Sequence, residues 1–145
     1  MNKIKLAYLV DDDHISNFLT GKILENAGFC EELIIFQDAH RALLALEDII
    51  RSGGPMPEMI LFDLNMPEMD GWGFIERFSS LSISNPLPTF IYTSSIDPSD
   101  REKSESYKAI TDFVTKPLTI PKLDKIMQML RGDRSNSNIS MIDAQ

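Results

Sequence analysis

Glu58-Met-Ile-Leu-Phe-Asp63-Leu-Asn-Met-Pro-Glu-Met-Asp-Gly71 carries a short apolar run into one carboxylate and then breaks at Asn65, Pro67 and Gly71. An acid placed there stands at the carboxyl end of a buried strand, where an open α/β sheet keeps its ligand crevice. The rest of the chain is read outward from Asp63.

Four more apolar runs resemble the one before Asp63. Ile4–Val10, Leu33–Phe36, Met59–Phe62, Pro88–Thr93 and Asp112–Thr115 together predict five strands, apolar enough to be covered on both faces as in parallel sheets. Helical stripes alternate with them. Ile15, Phe18, Leu19 and Ile23 make the first; Ala39, Ala42, Leu43, Leu46 and Ile50 the second; Phe74, Ile75, Phe78 and Leu81 the third; Leu123, Ile126, Met127 and Leu130 the last. Asp38 and Thr119 read as N-caps. Ser99 to Lys108 follows an Asp97-Pro98 start yet has almost no apolar stripe beyond Tyr107, so it predicts a lightly held fourth helix. The alternation predicts an α/β doubly wound parallel sheet with right-handed crossovers. The second strand, whose end at Gln37 carries no reactive group like those at the other strand ends, fits the sheet edge in the order 2-1-3-4-5. One domain over residues 1–131 accounts for this pattern, and residues 132–145 read as a polar, disordered tail.

Composition narrows the classes of function. A formal net charge of −8 argues against nucleic acid, which demands a basic face. No apolar run approaches the roughly 20 residues of a membrane span, and no signal-peptide pattern opens the chain. The expectation is a cytoplasmic protein. Cys30 is the single cysteine and reads as a small packing residue. His14 and His40 have no partner at metal-ligand spacing, and Trp72 and the Met66/Met69 pair read as packing.

The chemistry gathers at strand ends. The first strand ends in Asp11-Asp12-Asp13, the third in Asp63, the fourth in Thr93-Ser94-Ser95 and the fifth in Lys116-Pro117. A parallel sheet brings all four to one edge. Crowded carboxylates repel, and a hard cation such as Mg²⁺ relieves them while keeping positions for water or phosphate oxygens. A carboxylate can also attack phosphorus to give an acyl phosphate, helped by a lysine ammonium and a hydroxyl donor. Singly, each feature has a plain reading: the acidic triplet suits helix capping, with Asp13 the cap, and Lys116 could be a surface lysine. Their conjunction in order favours the functional one.

Leu9-Val-Asp-Asp-Asp13, Phe62-Asp-Leu-Asn-Met-Pro-Glu-Met-Asp-Gly71, Ile91-Tyr-Thr-Ser-Ser95 and Thr115-Lys-Pro117 resemble the motifs of response regulator receiver domains, over about Ile4 to Leu130. The resemblance implies a flavodoxin-like (βα)5 fold and a stand-alone, two-component signalling switch. It implies Asp63 as phosphoacceptor, charged by a histidine kinase or histidine phosphotransfer protein. Mg²⁺, with Mn²⁺ as substitute, would be held by Asp11, Asp12, Asp63 and the backbone carbonyl of Asn65. Thr93 would be the switch hydroxyl, Lys116 the phosphoryl counter-charge, and Asn65 and Ser95 the residues that tune dephosphorylation. The Lys116-Pro117 bond is typically cis in this family. The switch aromatic corresponds to Phe113, which can pack inward but carries no hydroxyl.

The resemblance further implies a partner face on the fourth helix, fifth strand and fifth helix, in a monomer or weak dimer. Two other classes compete. A phosphorylation-independent adaptor would be expected to have lost an acid, the threonine or the lysine. A small-molecule phosphatase would need a second carboxylate two residues after its nucleophile, where this chain has Asn65. Relay intermediate and terminal effector remain equal readings.

Overall fold

The computed structural model describes residues 3–66, 69–83, 87–94, 96–132 and 141–142. Along the chain run β1 (Ile4–Val10), α1 (His14–Ala27), β2 (Cys30–Phe36), α2 (Ala39–Ser52), β3 (Met59–Phe62), α3 (Gly71–Ser79), β4 (Thr89–Thr93), α4 (Pro98–Ser104), β5 (Asp112–Thr115), α5 (Ile120–Leu130) and β6 (Met141–Ile142). The strands pair in the order β2-β1-β3-β4-β5-β6, each pair parallel. The expected 2-1-3-4-5 order is therefore present, with one short strand added at its β5 edge.

Strand alternation divides the interior into two cores. Leu6, Tyr8, Val10, Ile60, Phe62, Ile91 and Phe113 point to one face and meet Ala42, Leu43 and Leu46 of α2 and Phe74, Ile75 and Phe78 of α3. Ala7, Leu9, Met59, Leu61, Phe90, Tyr92 and Val114 point to the other, under Leu24 of α1 and Leu123, Ile126 and Met127 of α5. Side chains two apart share a face, so each apolar strand supplies both layers.

Four expectations change. Ile15, Phe18 and Leu19, the predicted inner stripe of α1, are 73%, 63% and 55% exposed. The helix instead buries Asn17, Thr20 and Leu24. Polar partners choose that face: Asn17 Nδ2 donates to the Asp11 carbonyl at 2.8 Å, and Thr20 Oγ1 bonds the Tyr92 hydroxyl at 2.9 Å. Second, β2 begins at Cys30 rather than Leu33, because residues 30–36 pair along β1 even where Glu31 and Glu32 face outward. Third, α4 ends at Ser104, with turns to Ile110. Fourth, Met141–Ile142 pair with Phe113 and Val114 where the sequence indicates no strand. Residues 133–140 and 143–145 of the tail lie outside the described residues.

Candidate functional site at the carboxyl edge of the sheet

Each key residue lies one step past a strand and is still held by the sheet. The Asp11 N–H donates to the Phe36 carbonyl at 2.9 Å, the Asp63 N–H to Val10 at 3.0 Å and the Lys116 N–H to Thr93 at 2.8 Å. The backbone thus aims three side chains into one cleft before side-chain chemistry contributes. Lys116 Nζ donates to Asp11 Oδ2 at 2.5 Å and to Asp63 Oδ2 at 3.0 Å. Asp11 is wholly buried, Asp63 is 8% exposed and Thr93 is buried beside them at the end of β4. Burial works against the Lys116 ammonium, but bonds to Asp11 and Asp63, and their charges, outweigh it and raise its pKa above the ordinary 10.5.

Local turns fix the carboxylates. Asp11 Oδ1 accepts from the Asp13 N–H at 3.0 Å, and Asp63 Oδ1 from the Asn65 N–H at 3.1 Å. Asp13 caps α1 by accepting from the backbone N–H groups of Ile15 and Ser16. Asp12 is half-buried next to it. The loop after Asp63 folds back through Gly71, whose N–H donates to the Leu64 carbonyl. A Cβ at Gly71 would come within 2.6 Å of the Leu64 Cα and 2.7 Å of the Asp63 carbonyl oxygen, so only glycine lets α3 start here.

The predicted residues Asp11, Asp63, Thr93 and Lys116 therefore share one edge. Phe113 sits elsewhere, fully buried in the α2/α3 core with Phe62 and Ile91. Ser95 lies outside the described residues. His14 is exposed and its Nδ1 meets Gln37 Nε2 at 3.1 Å. The Lys116-Pro117 bond is cis. Among the described residues no three or more His, Cys, Asp or Glu side chains are grouped for a metal ion.

Two supporting residues, Lys122 and Tyr92, escaped the sequence reading, and a third, Trp72, packs as expected. Lys122, 5% exposed, donates to Thr115 O, Thr115 Oγ1 and Pro117 O at 2.9, 3.1 and 3.0 Å. Its three donors tie down both neighbours of Lys116. The signal was its helical phase: Lys122 stands one turn before Ile126, on the buried stripe. Tyr92 lies with its ring beneath the Lys116 ammonium, 5.4 Å from Nζ to the centroid. A phenol inside an apolar strand needs a partner, and that was its signal. Trp72 stacks on Tyr107 at 5.7 Å and carries Lys103 Nζ over its ring at 4.8 Å, joining α3 to α4.

The model of the response regulator receiver domain matches residues 7–128. The chain belongs to the response regulator receiver family. Receivers are signalling switches of two-component systems rather than classical enzymes, and they work with histidine kinases or phosphotransfer proteins. A two-component response regulator from Cytophaga hutchinsonii has the same fold, with a TM-score of 0.82 and 30% identity over 90% of this chain and 99% of that one. Response regulator Rcp1 of Synechocystis is 27% identical over 128 residues, 88% of this chain and 86% of Rcp1. Sensor histidine kinase CheAY of Helicobacter pylori is 28% identical over 129 residues, 87% of this chain but 15% of that larger protein. Rcp1 has also been solved in a Mn²⁺-bound form, which shares the receiver fold at a TM-score of 0.65 and 23% identity. No helix among the described residues is long and apolar enough to cross a membrane.

Proposed function

We propose that this receiver accepts a phosphoryl group on Asp63 from a phosphohistidine donor and uses the charge as a signal. The observation that carries the reading is the single ammonium of Lys116 shared by Asp11 and Asp63 in one cleft. An Asp63 carboxylate oxygen attacks phosphorus, the P–N bond breaks with its electron pair returning to the ring nitrogen, and the donor, already protonated on its other ring nitrogen, leaves as neutral imidazole. Lys116 then follows the negative charge from the carboxylate to a phosphoryl oxygen, and the Thr93 hydroxyl supplies a second contact. Such transfer depends on positioning and charge neutralisation more than on bond chemistry contributed by the protein.

The donor set fits Mg²⁺. Two carboxylates facing one ammonium leave negative charge over, their oxygens are hard, and Mg²⁺ takes one or two carboxylates while keeping water and phosphate oxygens. Asp11, Asp12, Asp63 and the Asn65 carbonyl would hold it, with Mn²⁺ as a substitute. When bound, the ion supplies positive charge against the phosphoryl oxygens. Asn65 and Ser95, the small polar residues at the family's dephosphorylation-tuning positions, would set the lifetime of the acyl phosphate.

Two surfaces serve the signal. The exposed Ile15, Phe18 and Leu19 lie on the helix that Asp13 caps, at the rim of the cleft, and fit a helical donor whose histidine must reach Asp63. The reading face is α4, β5 and α5. Phe113 already lies inside, so the change there is carried by Thr93, Lys116 and the short α4 rather than by an aromatic turning inward. Regions with few apolar contacts open cheaply, and α4 buries only Ser104.

Beryllofluoride titration with Mg²⁺, followed by Trp72 fluorescence, tests the reading. Wild type saturates and Asp63→Asn does not. Equal saturation of both proteins rules out Asp63 as acceptor. A phosphorylation-independent adaptor is favoured instead if neither protein responds.

A further inference from the structure

We infer that Tyr92 is a positioning residue for Lys116, holding its ammonium from beneath and linking it to α1. The inference rests on Lys116 being the counter-charge of the phosphoryl group.

Three contacts converge on Tyr92, which is 1% exposed. Its ring lies under Lys116 Nζ at 5.4 Å, inside the range where a cation is drawn to an aromatic face. Its hydroxyl shares a buried hydrogen bond with Thr20 of α1 at 2.9 Å. A backbone hydrogen bond joins the same oxygen to Leu118, two residues beyond Lys116. The ring is thus fixed at its far end by α1 and by the β5–α5 loop, and presents its face where Lys116 must cross from β5 to the carboxylates.

The long aliphatic stem of a lysine costs rotamer entropy to order, and Lys116 must sit within reach of two oxygens at once. A leucine at position 92 would keep an apolar side chain beside Phe90 and Val114, but it would offer the ammonium no electron-rich surface and Thr20 no hydroxyl partner. Lys122 completes the arrangement from the other side by holding Thr115 and Pro117. The consequence is directional. A shift of α1, where the donor is proposed to dock, moves Thr20, and Thr20 moves the ring that supports Lys116.

Beryllofluoride affinity at saturating Mg²⁺, measured by fluorine NMR on the full chain, tests this. Tyr92→Leu weakens binding about 3- to 10-fold, and Tyr92→Phe, which keeps the ring, restores most of the loss. In a Lys116→Ala background the Tyr92→Leu change has no further effect, because the group it acts through is gone. A residue that merely filled space would weaken binding equally in both backgrounds. Such equality overturns the inference, as does a folded Tyr92→Leu protein with wild-type affinity. Should Tyr92→Leu fail to fold, Tyr92→Met, whose flexible unbranched side chain fills irregular gaps but has no ring, carries the same expectation. Wild type that does not bind beryllofluoride at all defeats the proposed function instead.

Discussion

At the scale of single residues, the cleft is a charge balance left incomplete. Asp11 and Asp63 sit buried against one ammonium, and half-buried Asp12 follows Asp11 in the chain. Like charges held together in a poorly solvated place store repulsion, which a function needs and stability does not. Asp63→Asn removes one of these charges while keeping the shape. In Mg²⁺-free buffer the variant is therefore expected to melt at or above the wild-type temperature. Added Mg²⁺ should raise the melting temperature of wild type by more than that of the variant. Calorimetric scans with and without the ion decide it; equal shifts in the two proteins would show that Asp63 is not a ligand.

Elements explain why the cleft keeps its shape and which surface is left to partners. The loop from Asp63 to α3 is shut by Gly71, where even a methyl group meets backbone at 2.6 Å. Overpacking of that kind costs about 1–3 kcal/mol, so Gly71→Ala should lower unfolding free energy by about that amount in urea. α1 behaves differently, because its apolar residues face solvent. Phe18→Ser should change stability by no more than about 0.5 kcal/mol. The same change should slow transfer from a phosphohistidine protein about tenfold or more while leaving labelling by a small phosphodonor unaltered, a loss of about 1.4 kcal/mol in donor docking. Equal slowing with both donors would place Phe18 in the cleft rather than at its rim.

For the molecule as a whole, the β5 edge is the place where the chain departs from a bare five-stranded sheet. Unpaired edge strands invite pairing with another chain, and natural proteins cover them. Met141–Ile142 pair there, against Phe113 and Val114. Ile142→Pro cannot donate to that ladder. Hydrogen exchange of the β5 amides should accelerate in this variant while those of β1 and β3, in the centre of the sheet, stay as slow as in wild type. Unchanged exchange at β5 would mean that the tail strand adds no protection.

The chain's own pattern determined the alternation of strands and helices and the gathering of Asp11, Asp63, Thr93 and Lys116 at one edge. These follow from local periodicity and from the rule that parallel strands end on the same side, so they can be read without coordinates. Caps at Asp13, Asp38 and Thr119 were legible for the same reason, since a cap concerns only its neighbours in sequence. Only tertiary structure decided which face of α1 turns inward. Apolar spacing proposed Ile15, Phe18 and Leu19, but Asn17 and Thr20 won because their partners, the Asp11 carbonyl and the Tyr92 hydroxyl, come from elements distant in sequence. Tyr92 beneath Lys116, Lys122 against Thr115 and Pro117, and the tail on β5 belong to the same class. Each depends on a meeting of segments, and no local pattern records who is met.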